Sequence, residues 1–409
     1  MKPRALALLS RLPWPLDDGG RVGLYQIAWS LSRYFDTVMV ALVPPGEVSA
    51  PLPAAIAELG ARMVRVAHRP PSNGRALAEG LLGRWPYTLA RFRNAEFDRV
   101  VRREVAEFQP DFVHLSSLHM ATYSAALAGI PKVLREQNLE HLWLRRLAST
   151  FTNPLTRAYT SFQAVRLERA EAELCAHMDL VLAIHDHEAA QLRSLAPRTR
   201  VEVVPIGIDP ARFGPRAPAA APTVLVTGAF GWAPNLLGLR RFLERGWPVL
   251  RGLSPGAALR VVGRDLPVES LCALAGERAE LAGYVERIEP EFARAALLLV
   301  PLWVGAGARI KIVEALMAGT PVVSTPLGAE GLGLNHGREV ILAESPEDLA
   351  RAAADLLANP ARAAALGDAG RRFALAHFSL EAVAARTCDL IRPLIDVTPT
   401  PVAHMTPCR

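Results

Sequence analysis

The chain has 409 residues, 51% apolar and 21% charged, which suits two sizeable cores better than one and excludes a disordered polymer. Net charge is +6, from 46 basic and 40 acidic residues. Residues 1–215 hold 26 basic and 21 acidic side chains, a difference of +5, so the excess lies in the first half. So mild a bias fits an anionic small molecule or a membrane surface. No basic run interleaved with aromatics points to nucleic acid. No apolar stretch is long enough for a membrane span. Four cysteines, Cys175, Cys272, Cys388 and Cys408, are scattered without CxxC spacing, which argues against zinc or a disulfide frame and for a reducing cytoplasm.

In chain order, Lys2 and Arg4 before ALALLS (5–10) faintly imitate a signal peptide. Arg11 and Pro13 cut the apolar piece short, and it reads as a first strand. A glycine turn and the amphipathic stretch Val22–Tyr34 follow. Strand-like runs recur at 37–43, 62–67, 111–117, 132–136, 179–184 and 201–206, with long helical patterns at Tyr87–Phe108 and Thr156–His177. Strands separated by helices imply right-handed βαβ units and a parallel sheet. Residues 214–222, GPRAPAAAP, have a linker composition. Alternation restarts with strands at 223–230, 258–264, 293–303, 321–326 and 339–344, and helices at 236–245, 309–318, 346–357 and 360–376. The expected organisation is two doubly wound Rossmann-like domains, 1–213 and 223–378, facing across a cleft. A C-terminal helix, 379–396, is expected to pack back toward the first domain, and 397–409 is expected to be a disordered tail. Ligands of such sheets sit at strand carboxyl ends, against helix N-termini.

Residues 304–332 read VGAGARIKIVEALMAGTPVVSTPLGAEGL. Gly305 and Gly307 lead into a helix from about Ala308 to Ala318; Gly319 stands where a C-cap belongs, and Pro321 forbids continuation. Glycines before a helix let backbone N–H groups approach a ligand, and the helix start carries partial positive charge. Arg309 and Lys311 add full charge, making a good receptor for a diphosphate. Glu314 shares a face with Lys311 and can pair with it, or its carboxylate can accept two hydroxyls, as from a ribose. An ordinary surface ion pair at a capped helix is the plainer alternative. Only three lysines occur, Lys2, Lys132 and Lys311. One retained here suggests a site where a compact ammonium fits and a guanidinium does not.

The pattern xKIVEALMAGTPVVST followed by GAEGL resembles the donor site of family-4 retaining glycosyltransferases of the GT-B fold. TGAFGWAPN (227–235), VVGR (261–264) and LAGYVERIEPEFARAALLLVPLW (281–303) resemble further elements of the same domain. SRLPWPLDDGGRVG, LREQNLEH and VEVVPIGIDPARF resemble the N-terminal, acceptor-binding domain. The likeness runs over about residues 5–380. It implies that Glu314 holds the ribose, and that Lys311, Arg309 and backbone from Gly305 through Gly307 to Ile310 hold the diphosphate. Gly228 is implied in the donor site, Val285 near the base and Arg264 near the phosphates. Gly19 and Gly20 would form a loop closing on the sugar phosphate.

The sequence departs from the family where a first glutamate is usual, at Ala306; Glu330 is a candidate to accept sugar hydroxyls instead. The usual Asn-Gly turn reads Ile206-Gly207, and His185 replaces an interdomain serine. His119, after strand 111–117, is a candidate to meet donor sugar or acceptor, and Asn138 and Glu140 to meet the acceptor. His185, Asp186 and His187 imitate a metal site, but no third ligand is evident and the segment suits a helix cap better; there is also no Asp-x-Asp pair, so neither a metal nor any other cofactor is expected. The stretch Leu142–Leu147 and the basic helix near Arg84–Arg103 suit either a membrane surface or half-buried helices.

The expectation is a cytoplasmic enzyme, peripheral on the inner face of the membrane. It would move a hexosyl unit from a UDP- or GDP-type sugar to a glycan, lipid-linked or small-molecule hydroxyl, in envelope glycan or polysaccharide assembly. A nucleotide-sugar epimerase and a non-catalytic sugar-nucleotide binding protein are the alternatives.

Overall fold

In a computed structural model, residues 2–16, 19–71, 80–81, 83–214, 221–305 and 309–396 are described. The chain forms two compact units. Of the described residues, the first comprises those up to 184, 188–204 and 384–396, the second 185–187 and those within 205–383. The expected tail, 397–409, and most of the expected linker, 214–222, lie outside the described residues.

The first unit holds a seven-stranded sheet built from β1 (Arg4–Leu9), β2 (Asp36–Val43), β3 (Arg62–Ala67), β4 (Phe112–Leu115), β5 (Lys132–Arg135), β6 (Leu180–Ala183) and β7 (Val201–Val203), in the order β3-β2-β1-β4-β5-β6-β7. All its pairings are parallel. Parallel strands covered on both faces read as continuous apolar runs, and Ala5 to Leu9 are fully buried. The expected helix over 87–108 is two helices, Tyr87–Ala90 and Ala95–Phe108. Asn94 divides them, its side chain accepting from the Glu96 and Phe97 amides to cap the second.

The second unit holds β8 (Thr223–Thr227), β9 (Ala258–Val262), β10 (Ala279–Gly283), β11 (Leu297–Val300), β12 (Val322–Ser324) and β13 (Ile341–Leu342), in the order β10-β9-β8-β11-β12-β13. From β8 the chain adds strands on one side, and from β11 on the other. The topological switch point, where open α/β sheets bind ligands, is therefore at the carboxyl ends of these two strands. Its core includes Phe242, Leu271, Leu297, Leu349 and Trp247, whose indole N–H donates to the Ala275 carbonyl at 2.7 Å.

Strand β10 does not stand out in the sequence because it is an edge strand, AELAG, none of whose residues is fully buried. It needs no apolar run, and its register shifts between Leu281 and Gly283.

Candidate functional site

Two segments meet at the second unit's switch point: the turn after β8 and the helix after β11. The helix spans Ile310–Met317. Gly319 has φ +71; its N–H donates to Leu316 O at 2.9 Å and that of Thr320 to Ala315 O at 2.8 Å. These are the paired bonds of a Schellman cap, which needs the left-handed conformation glycine permits. Gly305, with φ +116, likewise uses that freedom, and a Cβ there would stand 2.7 Å from the Trp232 ring. Ala306 and Gly307 lie outside the described residues.

Lys311 Nζ donates to Asn235 Oδ1 at 2.9 Å. Against the same ammonium lies Gly228, the first residue past β8, where a Cβ would stand 2.9 Å from Nζ. The ammonium lies against bare backbone, an approach that suits a compact cation better than a wide planar guanidinium. Burial, reinforced by the neighbouring Arg309 charge, brings the Lys311 ammonium down to about 8, against the pull of Glu314. Arg309 caps the helix start and is itself buried. Its guanidinium donates to the Leu327 carbonyl at 3.0 Å and lies 4.0 Å from Glu330. Glu330 is exposed, at the end of the 3-10 turn Leu327–Ala329.

Lys311 and Glu314 do not pair. The lysine turns to the β8 turn, and Glu314 Oε1 accepts from Arg212 at 3.3 Å. Arg212, in the short 3-10 turn Pro210–Arg212, also reaches Glu289 at 2.9 Å. Glu314 is largely buried, and burial raises its carboxyl to about 7, opposed by Arg212 and reinforced by Glu289. The arrangement is a half-buried ammonium and a shielded carboxylate on successive turns of one helix. An anion can meet the first and a pair of hydroxyls the second. Arg264 is half-buried just past β9, its carbonyl accepting from Phe230 N at 2.8 Å. Val285 follows β10 by two residues.

In the first unit, Gly19 and Gly20 do not form a loop. They open the helix Gly19–Tyr34, which starts three residues before the apolar periodicity does. That helix packs beside the end of β5, where a Cβ on Gly23 would meet Gln137 Oε1 at 3.4 Å. His119 is not in a loop either. It sits on the short helix Leu118–Ala121, its ring centroid 4.2 Å from that of Phe92, and burial lowers it to about 4. Asn138 is exposed. Glu140 opens the helix Glu140–Thr150, its N–H donated to Glu171 Oε1 at 3.1 Å. Burial, then Glu171, raises the Glu140 carboxyl to about 7.

Among the described residues, no three His, Cys, Asp or Glu side chains are grouped to hold a metal ion. Asp186 and His187 begin the helix Asp186–Leu195. His185 abuts Gly331, where a Cβ would stand 2.8 Å from the imidazole.

Residues 54–212 match the family model "Glycosyltransferase Family 4", and residues 221–359 match "Glycosyl transferases group 1". A glycosyltransferase model thus matches each half of the chain, and the fold is GT-B. A GDP-mannose-dependent alpha-(1-6)-phosphatidylinositol monomannoside mannosyltransferase of Mycobacterium tuberculosis is 28% identical over 238 residues, 52% of this chain and 62% of that protein. The match thus spans less than two thirds of that relative's length. The fold is that of a sucrose-phosphate synthase from Thermosynechococcus elongatus, with TM-score 0.71 at 19% identity over 97% of this chain and 100% of that one. It is also that of Anabaena HepE, solved in complex with UDP and glucose, with TM-score 0.63 at 15% identity over 95% and 99%.

Arg212, Asn235 and Glu289 were not evident as site residues from sequence alone. The first two lie within DPARF and TGAFGWAPN, but nothing in those strings says that they meet a helix 76 to 102 positions away.

Proposed function

We propose that this GT-B chain is a retaining glycosyltransferase that moves a hexosyl unit from a UDP- or GDP-sugar to a hydroxyl acceptor in envelope glycan or polysaccharide assembly. The observation that carries the reading is the half-buried Lys311 ammonium, held beside Gly228 where β8 and β11 diverge. In this reading Lys311, Arg309 and the helix N-terminus stabilise the negative charge that develops on the leaving diphosphate. Such electrostatic stabilisation is commonly the largest catalytic contribution. Glu314 accepts the ribose hydroxyls. The bond from the anomeric carbon to the diphosphate oxygen breaks, the acceptor oxygen bonds to that carbon on the same face, and its proton passes to the leaving phosphate oxygen. No protein nucleophile and no metal takes part, so chelators should leave transfer unchanged.

The acceptor side belongs to the first unit, around Asn138 and Glu140. There Trp143, Leu155, Phe162 and Val165 are exposed on the helices Glu140–Thr150 and Pro154–Ala176, together with Arg145, Arg146 and Arg157. Exposed apolar and basic side chains on one helix pair suit a peripheral contact with anionic lipid, and a lipid-linked acceptor fits that surface. No described helix is long and apolar enough to cross a membrane.

Incubation with labelled UDP- and GDP-sugars and hydroxyl acceptors tests the reading. Transfer with retained anomeric configuration supports it. A changed donor without transfer makes the chain an epimerase, and tight binding with neither makes it a binding protein.

A further inference from the structure

Lysine loses much rotamer freedom when fixed, so an ammonium held by a neutral side chain calls for a cause. Three observations converge on the segment after β8, whose turn leads into the helix Ala233–Arg245. Lys311 Nζ donates to Asn235 Oδ1 at 2.9 Å. The Asn235 amide is oriented from its other end, because Nδ2 donates to the Ala229 carbonyl at 2.9 Å. Bare backbone confines both side chains: a Cβ on Gly228 would stand 2.8 Å from Asn235 Nδ2 and 2.9 Å from Lys311 Nζ. At the start of that helix, its N-cap Trp232 and Pro234 lie against Gly305. The tetrapeptide Trp232–Asn235 thus braces the β11 loop at Gly305 and the helix beyond it at Lys311.

We infer that Asn235 is a positioning residue that holds the Lys311 ammonium at the end of β8 before the nucleotide binds. The inference rests on the proposal that Lys311 meets the donor diphosphate. An amide suits the task because it accepts a hydrogen bond without carrying charge. A carboxylate there would neutralise the ammonium and repel the phosphates, whereas a methyl group would leave the ammonium to wander. The charged groups that act on the lysine are Arg309 and Glu314 on its own segment; from the turn after β9, Gly263 approaches the Gly228 carbonyl and Asp265 approaches Gly231.

The test is calorimetric titration of UDP and GDP between pH 6.5 and 9.5. It uses the wild type, Asn235→Ala, Asn235→Asp, Lys311→Ala and the Asn235→Ala/Lys311→Ala double variant. Wild-type affinity should fall as pH rises through about 8, where Lys311 loses its proton. Asn235→Ala should weaken binding about tenfold below that pH, as expected for a hydrogen bond to a charged group, and should have no effect in the Lys311→Ala background. Asn235→Asp should move the alkaline loss of affinity to higher pH while weakening binding below it. Melting temperatures identify any folding defect. The nearly isosteric Asn235→Asp keeps the test standing if the alanine variant unfolds. Equal losses from Asn235→Ala in both backgrounds, or an alkaline limb unmoved by Asn235→Asp yet absent in Lys311→Ala, would overturn the inference while sparing the phosphate assignment. Wild-type affinity in Lys311→Ala would overturn both.

Discussion

Replacing Glu314 by glutamine probes the nucleoside half of the site. The substitution keeps shape and volume but removes the charge. In the protein the carboxylate is largely buried, and one oxygen accepts from Arg212 at 3.3 Å. Two hydrogen bonds from a ribose to an ionised, shielded acceptor are together worth about 1–3 kcal/mol over the neutral amide, or roughly 5- to 150-fold in Kd. Burial lifts this carboxyl to about 7, which adds a pH signature. As pH falls from 8 to 6 the wild type takes up a proton at Glu314 and loses the charged acceptor, so its affinity for nucleoside diphosphates drops. The glutamine variant lacks that acid limb. Calorimetric titration with UDP and GDP and their 2′,3′-dideoxy analogues at pH 6, 7 and 8 reads both effects. The wild type should prefer the ribose forms more strongly at pH 8 than at pH 6, and the variant should show little preference at either. A Glu314→Gln variant with full affinity and an intact ribose preference would show that this carboxylate does not hold the ribose.

Two further changes test neighbouring parts of the account. Gly228→Ala should weaken nucleoside diphosphate binding far more than it lowers the melting temperature, because its methyl group would press on Lys311 Nζ and the Asn235 amide; calorimetry beside thermal melts separates the two. In the first unit, Glu136 is 2% exposed, and burial, then Glu171, Glu140 and Glu188, hold its carboxyl well above the ordinary range. Its folded pKa exceeds its unfolded one, so the native state keeps a proton that the unfolded chain releases, and stability falls as pH rises from the ordinary glutamate range toward the raised value. Glu136→Gln should therefore reduce the difference in melting temperature between pH 6 and pH 8; an unchanged difference would mean that the carboxyl is not held protonated.

Much of the architecture is legible in the residue pattern because doubly wound sheets bury their strands on both faces. Runs such as ALALL and AALLLV announce themselves, and Gly319 with Pro321 marks a helix end. Elements escape where burial is partial, as for the edge strand β10, or where a short polar break decides the matter, as at Asn94. At the site, the lone lysine and the glycine-to-helix junction are visible, but partner choice is not. Helical spacing puts Lys311 and Glu314 within reach of each other, yet tertiary partners win. Asn235 offers a neutral acceptor in a confined corner, and Arg212 offers a full charge to a carboxylate already losing water. The pair Gly19-Gly20 reads as a loop because glycine is a poor helix former, and here it occupies a helix's first turn.

The most direct measurement is an experimental structure of the chain with UDP or GDP bound. The account predicts the β-phosphate within hydrogen-bond reach of Lys311 Nζ, beside Gly228, with the ribose hydroxyls on Glu314. A nucleotide seated away from the ends of β8 and β11, or with its ribose facing solvent, would contradict it.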